Sequence, residues 1–564
     1  MVQRNTRRPG NQVAGSRLAW WILTALAVGC ARQGFPPGGP VDRVPPRVVR
    51  TWPEAGSTGV PLQSEIVVEF SERVVPSVSE DAVFLSPPPE DGLRLRWKGR
   101  LLRIRVPGGL RPDRTYVLTL GTGIRDLRNN PMRQAHSIAF STGAKIDSAR
   151  LEGVVFRQAR PVPGVLVSAY DLAELPDPDP GRSRATYLTQ TGSDGQFRLL
   201  YLRASSYRLF AWEDRDADRL WDEGEEAIGV PWRDIDLRSD STAGQLSFWL
   251  VPLDSTAPRI VDARSSDRRH LTLRTSEKID SLRSQLQAEL SVDVPALIYR
   301  DDLFGDRLHV AAFQDLRGEV RLRVEGISDR LGNRCRLDSA VVNVSDLPDT
   351  SRPRLVLSIP ADSARGVPLE APIDLWFSEA LDTAAASQGA ELIGPGDEAI
   401  PCVRVWATPA HLRLVPEGVL QGGSRFVVRL QGPRLRDVSG NPLTDSLLVL
   451  QFWTLNPDTL TEILGVVEDG RVEARGSVHV VALRAADGQA VAERILAAPG
   501  PYRLAGLLPG RYLLMAFRDE DGDGALSPGW PWPFRPAERF FLYPDTVRAR
   551  ARWANEGNDL RLPP

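Results

Sequence analysis

The sequence predicts an all-β protein made of tandem β-sandwich modules that follow an export signal. Three observations predict it. The stretch TWPEAGSTGVPLQSEIVVEFSE (51–72) returns as SIPADSARGVPLEAPIDLWFSE (358–379), keeping Pro53 as Pro360, Val60-Pro61 as Val367-Pro368 and Phe70-Ser71-Glu72 as Phe377-Ser378-Glu379. Recurrence at this scale marks a duplicated module. Within each copy, apolar residues alternate, Ile66, Val68 and Phe70 in one and Ile373, Leu375 and Phe377 in the other, the period of a strand with one buried face. The 46 prolines and 47 glycines are spread along the chain, which is turn punctuation for many short strands.

Length and composition set the bounds. A chain of 564 residues allows about four domains of ordinary size, and the repeat spacing implies more and smaller ones. With 42% hydrophobic residues there is enough for packed cores, and a net charge of −2 argues against a nucleic-acid partner. Arg4, Arg7, Arg8 and Arg17 precede the apolar run Leu18 to Gly29, and Cys30 follows at once. A charged head, a short apolar run and small residues describe a signal peptide over 1–29, too short to span a bilayer comfortably. Residues 30–44 are rich in proline and glycine, cannot build a core, and read as a tether. Beyond Cys30 only Cys335 and Cys402 remain; they fall in different modules, so a disulfide is not expected and both read as small buried side chains.

Taken in order, the first module spans 45–143. Tyr116, Leu118 and Leu120 match Phe426, Val428 and Leu430 of the later copy, and the turn DLRNNP (126–131) matches DVSGNP (437–442) and DRLGN (329–333). Asn and Gly suit the left-handed backbone of such a turn, and Asp bonds its own loop amides. Copies are placed at 45–143, 257–346 and 352–455, the middle one lacking the Gly-Val-Pro loop. Between them lies a second repeat, at 148–252 and 464–563: GQFRLLYLRASSYRLFAWEDRDAD from Gly195 aligns with GPYRLAGLLPGRYLLMAFRDEDGD from Gly500.

These motifs resemble known families. LAVGC at 26–30 resembles the lipobox of bacterial lipoproteins, with Ala27 where Leu is more frequent. The resemblance implies that Cys30 is acylated and anchors the chain to a membrane, and Ala31 in place of Asp favours the outer membrane. The Gly-Val-Pro opening, F-S-E strand end and D-x-x-G-N-P turn resemble the bacterial Ig-like domain first described in S-layer proteins. The second repeat, with LLPG at 507–510 before Tyr512, resembles the transthyretin-like or carboxypeptidase-regulatory-like sandwich; the first copy has Arg203 to Ser206 there and departs from the pattern.

Candidate chemistry is sparse. Asp519, Asp521 and Asp523, ahead of Gly524, place carboxylates at alternate residues, the way a loop gathers oxygen ligands round a structural Ca²⁺. Asp214, Asp216 and Asp218 repeat this, with Asp222 and Glu225 downstream, Trp221 in the apolar slot, and Arg219 where the glycine belongs. A solvated acidic turn needing no ion is the competing reading. Trp530, Trp532 and Phe534 alternate with Pro531, Pro533 and Arg535, an extended segment suited either to stacking on a sugar or peptide or to covering the end of its own sandwich. The histidines His136, His270, His309, His411 and His479 are scattered and form no zinc-peptidase pair. No nucleophile elbow, phosphate loop or dinucleotide fingerprint occurs.

The expectation is a non-enzymatic outer-membrane lipoprotein serving as a modular scaffold or adhesive stalk, joined to the membrane by its acyl chains and to an envelope protein or glycan by its modules. No cofactor is required beyond Ca²⁺ in the acidic loops. One alternative is a glycan-binding envelope protein using the Trp/Pro segment and the acidic loops. The other is an envelope hydrolase with a carboxylate pair assembled only in three dimensions.

Overall fold

The computed structural model describes residues 42–238, 242–280, 286–329, 331–471 and 473–564. The signal peptide, Cys30 and nearly all of the tether lie outside them. The described residues form tandem two-sheet β units, and their one α-helix is the four-residue turn Pro76–Ser79. None of these residues forms a helix long and apolar enough to cross a membrane.

The first unit pairs the strands Val48–Trp52, Ile66–Phe70, Leu101–Arg105 and Arg94–Lys98 in one sheet, in that order. Val83–Ser86, Thr115–Leu120 and His136–Ser141 form the other. Ile66–Phe70 alternates buried and half-buried as its sequence predicts, and Val68 and Phe70 are fully enclosed. Strands over 260–343 and 355–454 build two more units of this kind, with the core drawn from both inner faces.

The units over 149–252 and 461–562 follow a different plan. Their long first strands, Ala149–Arg157 and Thr461–Asp469, lie between an antiparallel neighbour and a parallel one supplied by the end of the unit. Facing them, Ser206–Trp212 and Gly510–Asp519 run through the centres of the second sheets.

Strict alternation fails on several strands, and two of them show one physical reason. All six residues of Thr115–Leu120 are buried, and Val117 belongs to the core of the second unit, so its outer face is covered by the neighbouring unit. On Gly510–Asp519, Leu514 and Ala516 fill their own core while Met515 and Phe517 face outward and are equally buried. They pack with Ala159, Phe156 and Trp249 of the second unit. Modules in series imply contacts between chain neighbours only. Here the last unit also docks on the second. The Phe540 ring meets Trp249 edge-on at 5.5 Å and Phe156 at 6.3 Å, and Arg160 donates to the Ala486 carbonyl at 2.7 Å. Both described cysteines are free and half-buried.

Candidate functional site

The acidic loops occupy the same place in the two units, between the central strand and the next strand of its sheet, Ala227–Gly229 or Phe540–Leu542. Asp214, Asp216 and Asp218 each offer a carboxylate oxygen within 4.8 Å of the others, and Asp216, Asp222 and Glu226 do the same. Burial first, and then the charges of Asp218 and Asp216, push the Asp214 carboxyl up. Glu225 is exposed. The buried carboxylate is its neighbour Glu226, which accepts the amides of Arg215 at 2.6 Å and Asp222 at 3.2 Å. In the last unit Glu538 does the same for Glu520 at 2.6 Å and Ser527 at 3.0 Å. The two glutamates therefore correspond, although one follows Asp214 by twelve residues and the other follows Asp519 by nineteen. The longer loop is the one that contains the Trp/Pro segment.

Asp519 itself is buried and accepts the amides of Gly522 at 2.7 Å and Gly524 at 3.2 Å. Asp521 and Asp523 are exposed, and Asp521 accepts the Ser527 hydroxyl at 2.7 Å. Gly522 and Gly524 both take a left-handed backbone, and so do their counterparts Ala217 and Arg219, with φ of 65° and 69°. An L side chain adopts this conformation at a cost. Arg219 has a compensating role, since its guanidinium donates to the Val83 carbonyl at 3.3 Å and lies over Phe84, both in the first unit.

The Trp/Pro segment does not cover its own sandwich. Trp530 and Phe534 pack against a cluster of the second unit formed by Tyr170, Phe210, Trp212 and Trp221. The Arg208 guanidinium stands 3.7 Å from the Phe534 ring centre while gripping Asp234 through two bonds of 2.8 and 2.9 Å. Trp532 remains 43% exposed, so it is the ring of the three left open to a ligand.

A second constellation recurs three times. At the entrance to each unit of the first kind the chain reads D-x-x-x-P-R: Asp42 to Arg47, Asp254 to Arg259 and Asp349 to Arg354. Each aspartate accepts the amide two residues on, from Val44, Thr256 and Ser351. Each arginine amide donates to the serine of the S-E pair (Ser71, Ser276 and Ser378) at 3.0, 3.0 and 3.1 Å. The turn aspartates Asp126, Asp329 and Asp437 each accept the amide and side chain of Asn130, Asn333 and Asn441. Asn130 and Asn333 also tie the linker by donating to the carbonyls of Asp42 and Asp254. The glutamate of S-E completes a carboxylate triad, Asp42 with Glu72 and Asp126, and Asp254 with Glu277 and Asp329, each within 4.8 Å. Burial, then the charges of Asp126 and Asp42, raise Glu72. Burial, then Asp329 and Asp254, push Glu277 up to about 7. Glu379 reaches about 7 chiefly by burial, with His270 opposing the rise and Asp437 and Asp349 adding to it. The sequence reading overlooked these triads, because it left Asp42 in the tether and the other two aspartates between modules. The repeated D-x-x-x-P-R was the available signal.

A shared family supports the repeat. Residues 42–142 and 349–454 match the bacterial Ig-like domain. Both matches begin on the linker aspartate of the D-x-x-x-P-R sequence, Asp42 or Asp349. No curated protein matches the chain. Among solved structures, L,D-transpeptidase 3 from Mycobacterium tuberculosis, in complex with a faropenem-derived adduct, is 14% identical with a TM-score of 0.14, over 26% of this chain and 47% of that one. The chain thus spans about half the length of that structure. The N-terminal part of the bacterial S-layer protein SbsC is 13% identical with a TM-score of 0.17, over 30% of this chain and 41% of that one. Domains 1–6 of the surface layer protein SbsC are 9% identical with a TM-score of 0.14, over 90% of this chain and 67% of that one.

Proposed function

We propose that this chain is a non-enzymatic envelope lipoprotein, anchored in the outer membrane through Cys30, whose Ig-like and transthyretin-like modules form a scaffold for other envelope components. The repeated Ig-like unit with a filled core carries this reading, because its residues go to packing and to locking each unit's entrance. Exposed sheet edges offer an extended partner a place to add a strand, which needs no sequence motif. The docking of the last unit on the second favours a folded-back scaffold over a freely jointed stalk.

The acidic loops serve as structural Ca²⁺ sites in this reading. Asp214, Asp216, Asp218 and Asp222 stand with Glu226, in place of Glu225, and Asp519, Asp521 and Asp523 stand with Glu538. The converging carboxylates of the Asp214 loop, and in both loops a glutamate that ties the loop's amides, support it.

Cell fractionation of wild type and Cys30→Ala tests the anchor, and protease shaving of intact cells followed by detection of residues 464–563 tests exposure. A Cys30→Ala chain that still sediments with outer membranes would overturn the lipoprotein reading. Retention on a polysaccharide array, lost in Trp532→Ala, would replace the scaffold with a glycan-binding role.

A further inference from the structure

The junction between the units over 260–343 and 355–454 holds a cluster that the entrance lock does not account for. Asp267 and His270 come from the turn and first strand residue of one unit, and Asp349 comes from the linker into the next. The Arg268 amide donates to the Leu347 carbonyl at 2.9 Å, which brings the linker against this turn. Asp267, His270 and Asp349 then each place one ligand atom within 4.8 Å of the others. His270 Nδ1 lies 3.1 Å from both oxygens of Asp267 and 3.7 Å from Oδ2 of Asp349.

We propose that Asp267, His270 and Asp349 bind a divalent metal ion of the class that accepts imidazole nitrogen as well as carboxylate oxygen, such as zinc.

An unmet polar group supports this. The Asp349 side chain is 1% exposed. Its Oδ1 accepts the Ser351 amide at 3.1 Å, and its Oδ2 has no hydrogen-bond donor. A buried carboxylate oxygen with nothing donating to it is costly and rare in a settled interior.

Charge points the same way. Asp267 and Asp349 both stand against the His270 ring. Asp437 is occupied by the amides of Ser439 and Asn441 and the Asn441 side chain. Asp267 is bonded by the amides of Arg269 and His270 and by the Ser266 hydroxyl. The nearby Arg269 guanidinium is engaged by Asp315 at 2.9 Å and the Val438 carbonyl at 3.3 Å. The single Nδ1–H of His270 is then shared between Asp267 and Asp349. A dication answers both acids at once.

Geometry and ligand type select the metal. Ligand atoms 3.1 and 3.7 Å apart bracket the edge of a coordination sphere with bonds of about 2.1 Å. Nitrogen in the set favours zinc over calcium, which takes oxygen. Because the ligands come from both units, the ion would fasten the junction. This inference stands apart from the scaffold reading.

The test uses the full-length chain without an affinity tag, stripped with a chelator, and calorimetric titration with Zn²⁺, then Ca²⁺. The expected result is one tight zinc equivalent and a rise in melting temperature. His270→Gln and Asp349→Asn should each weaken that equivalent by at least the roughly 10–100-fold that even an outer-sphere substitution costs. Cobalt in place of zinc should give visible ligand-field absorption that His270→Gln removes. Circular dichroism of the metal-free variants checks folding, and Asp349→Asn keeps the test decisive if His270→Gln does not fold. Absence of zinc binding would make the cluster an imidazolium ion pair and overturn the proposal. Zinc binding indifferent to both variants, or calcium binding indifferent to His270→Gln, would also overturn it.

Discussion

The contact between the second and last units makes a strong prediction, because its outward aromatic rings have no role in the core of the last unit. Phe540 is 6% exposed and faces Phe156 and Trp249 across the contact, while its neighbour Phe541 points into the unit's own core. Phe534 lies under Arg208 and edge-on to Phe210 at 6.4 Å. Replacing Phe540 with Asp removes a buried ring worth about 4 kcal/mol and leaves a carboxylate against apolar surface at a further cost of several kcal/mol. Phe534→Ala removes about 1 kcal/mol of cation–π attraction as well. A loss of at least about 6 kcal/mol lowers the docking constant by about four powers of ten. Once undocked, residue 540 faces water, so the last unit itself should stay folded. Small-angle scattering of the double variant should show a larger radius of gyration than wild type, with unchanged circular dichroism. Superimposable scattering curves would refute the claim that these rings hold the units together.

Other expectations are narrower. Glu277 is half-buried, and its raised carboxyl favours the folded state below its ordinary value near 4.5, an advantage lost as pH rises through about 7. Glu277→Gln should therefore stabilise the fold at pH 8 by about 1 kcal/mol after discounting for solvent screening, seen as a higher melting temperature, and change it little at pH 4. Calcium should raise the unfolding temperature of the chelated full-length chain, and Asp521→Ala together with Asp216→Ala should reduce the rise; an unchanged rise would leave the loops as solvated turns. Ala217→Gly should stabilise the second unit by about 0.5–1 kcal/mol in chemical unfolding, since it relieves a left-handed backbone.

What the sequence made legible was local. The alternation of Ile66, Val68 and Phe70 and the Asp-to-Asn turn each depend on residues near one another, and the structure contains both. Val117, Met515 and Phe517 were illegible because another unit covers their outer faces, the next along the chain for Val117 and a distant one for the other two, and periodicity carries no record of it. Glu225 fits the spacing of a calcium loop, but the next strand begins at Ala227 and turns Glu226 inward. Glu538 was hidden by the longer loop, whose extra residues carry Trp530 and Phe534 to the second unit.

The entrance lock and the metal proposal constrain each other. In all three entrances the linker aspartate spends one oxygen on the amide two residues on, and the P-R step is pinned to the serine of S-E. At the first two entrances that aspartate also stands within 4.8 Å of the glutamate and the turn aspartate, a concentration of negative charge that, after burial, raises the Glu277 carboxyl. At the third entrance the preceding unit adds Asp267, which increases the negative charge, and His270, which supplies nitrogen. The same backbone lock thus presents three different ligand sets. Differences in ion response among Asp42→Asn, Asp254→Asn and Asp349→Asn would follow from the neighbours of each entrance, with a zinc response lost only in Asp349→Asn.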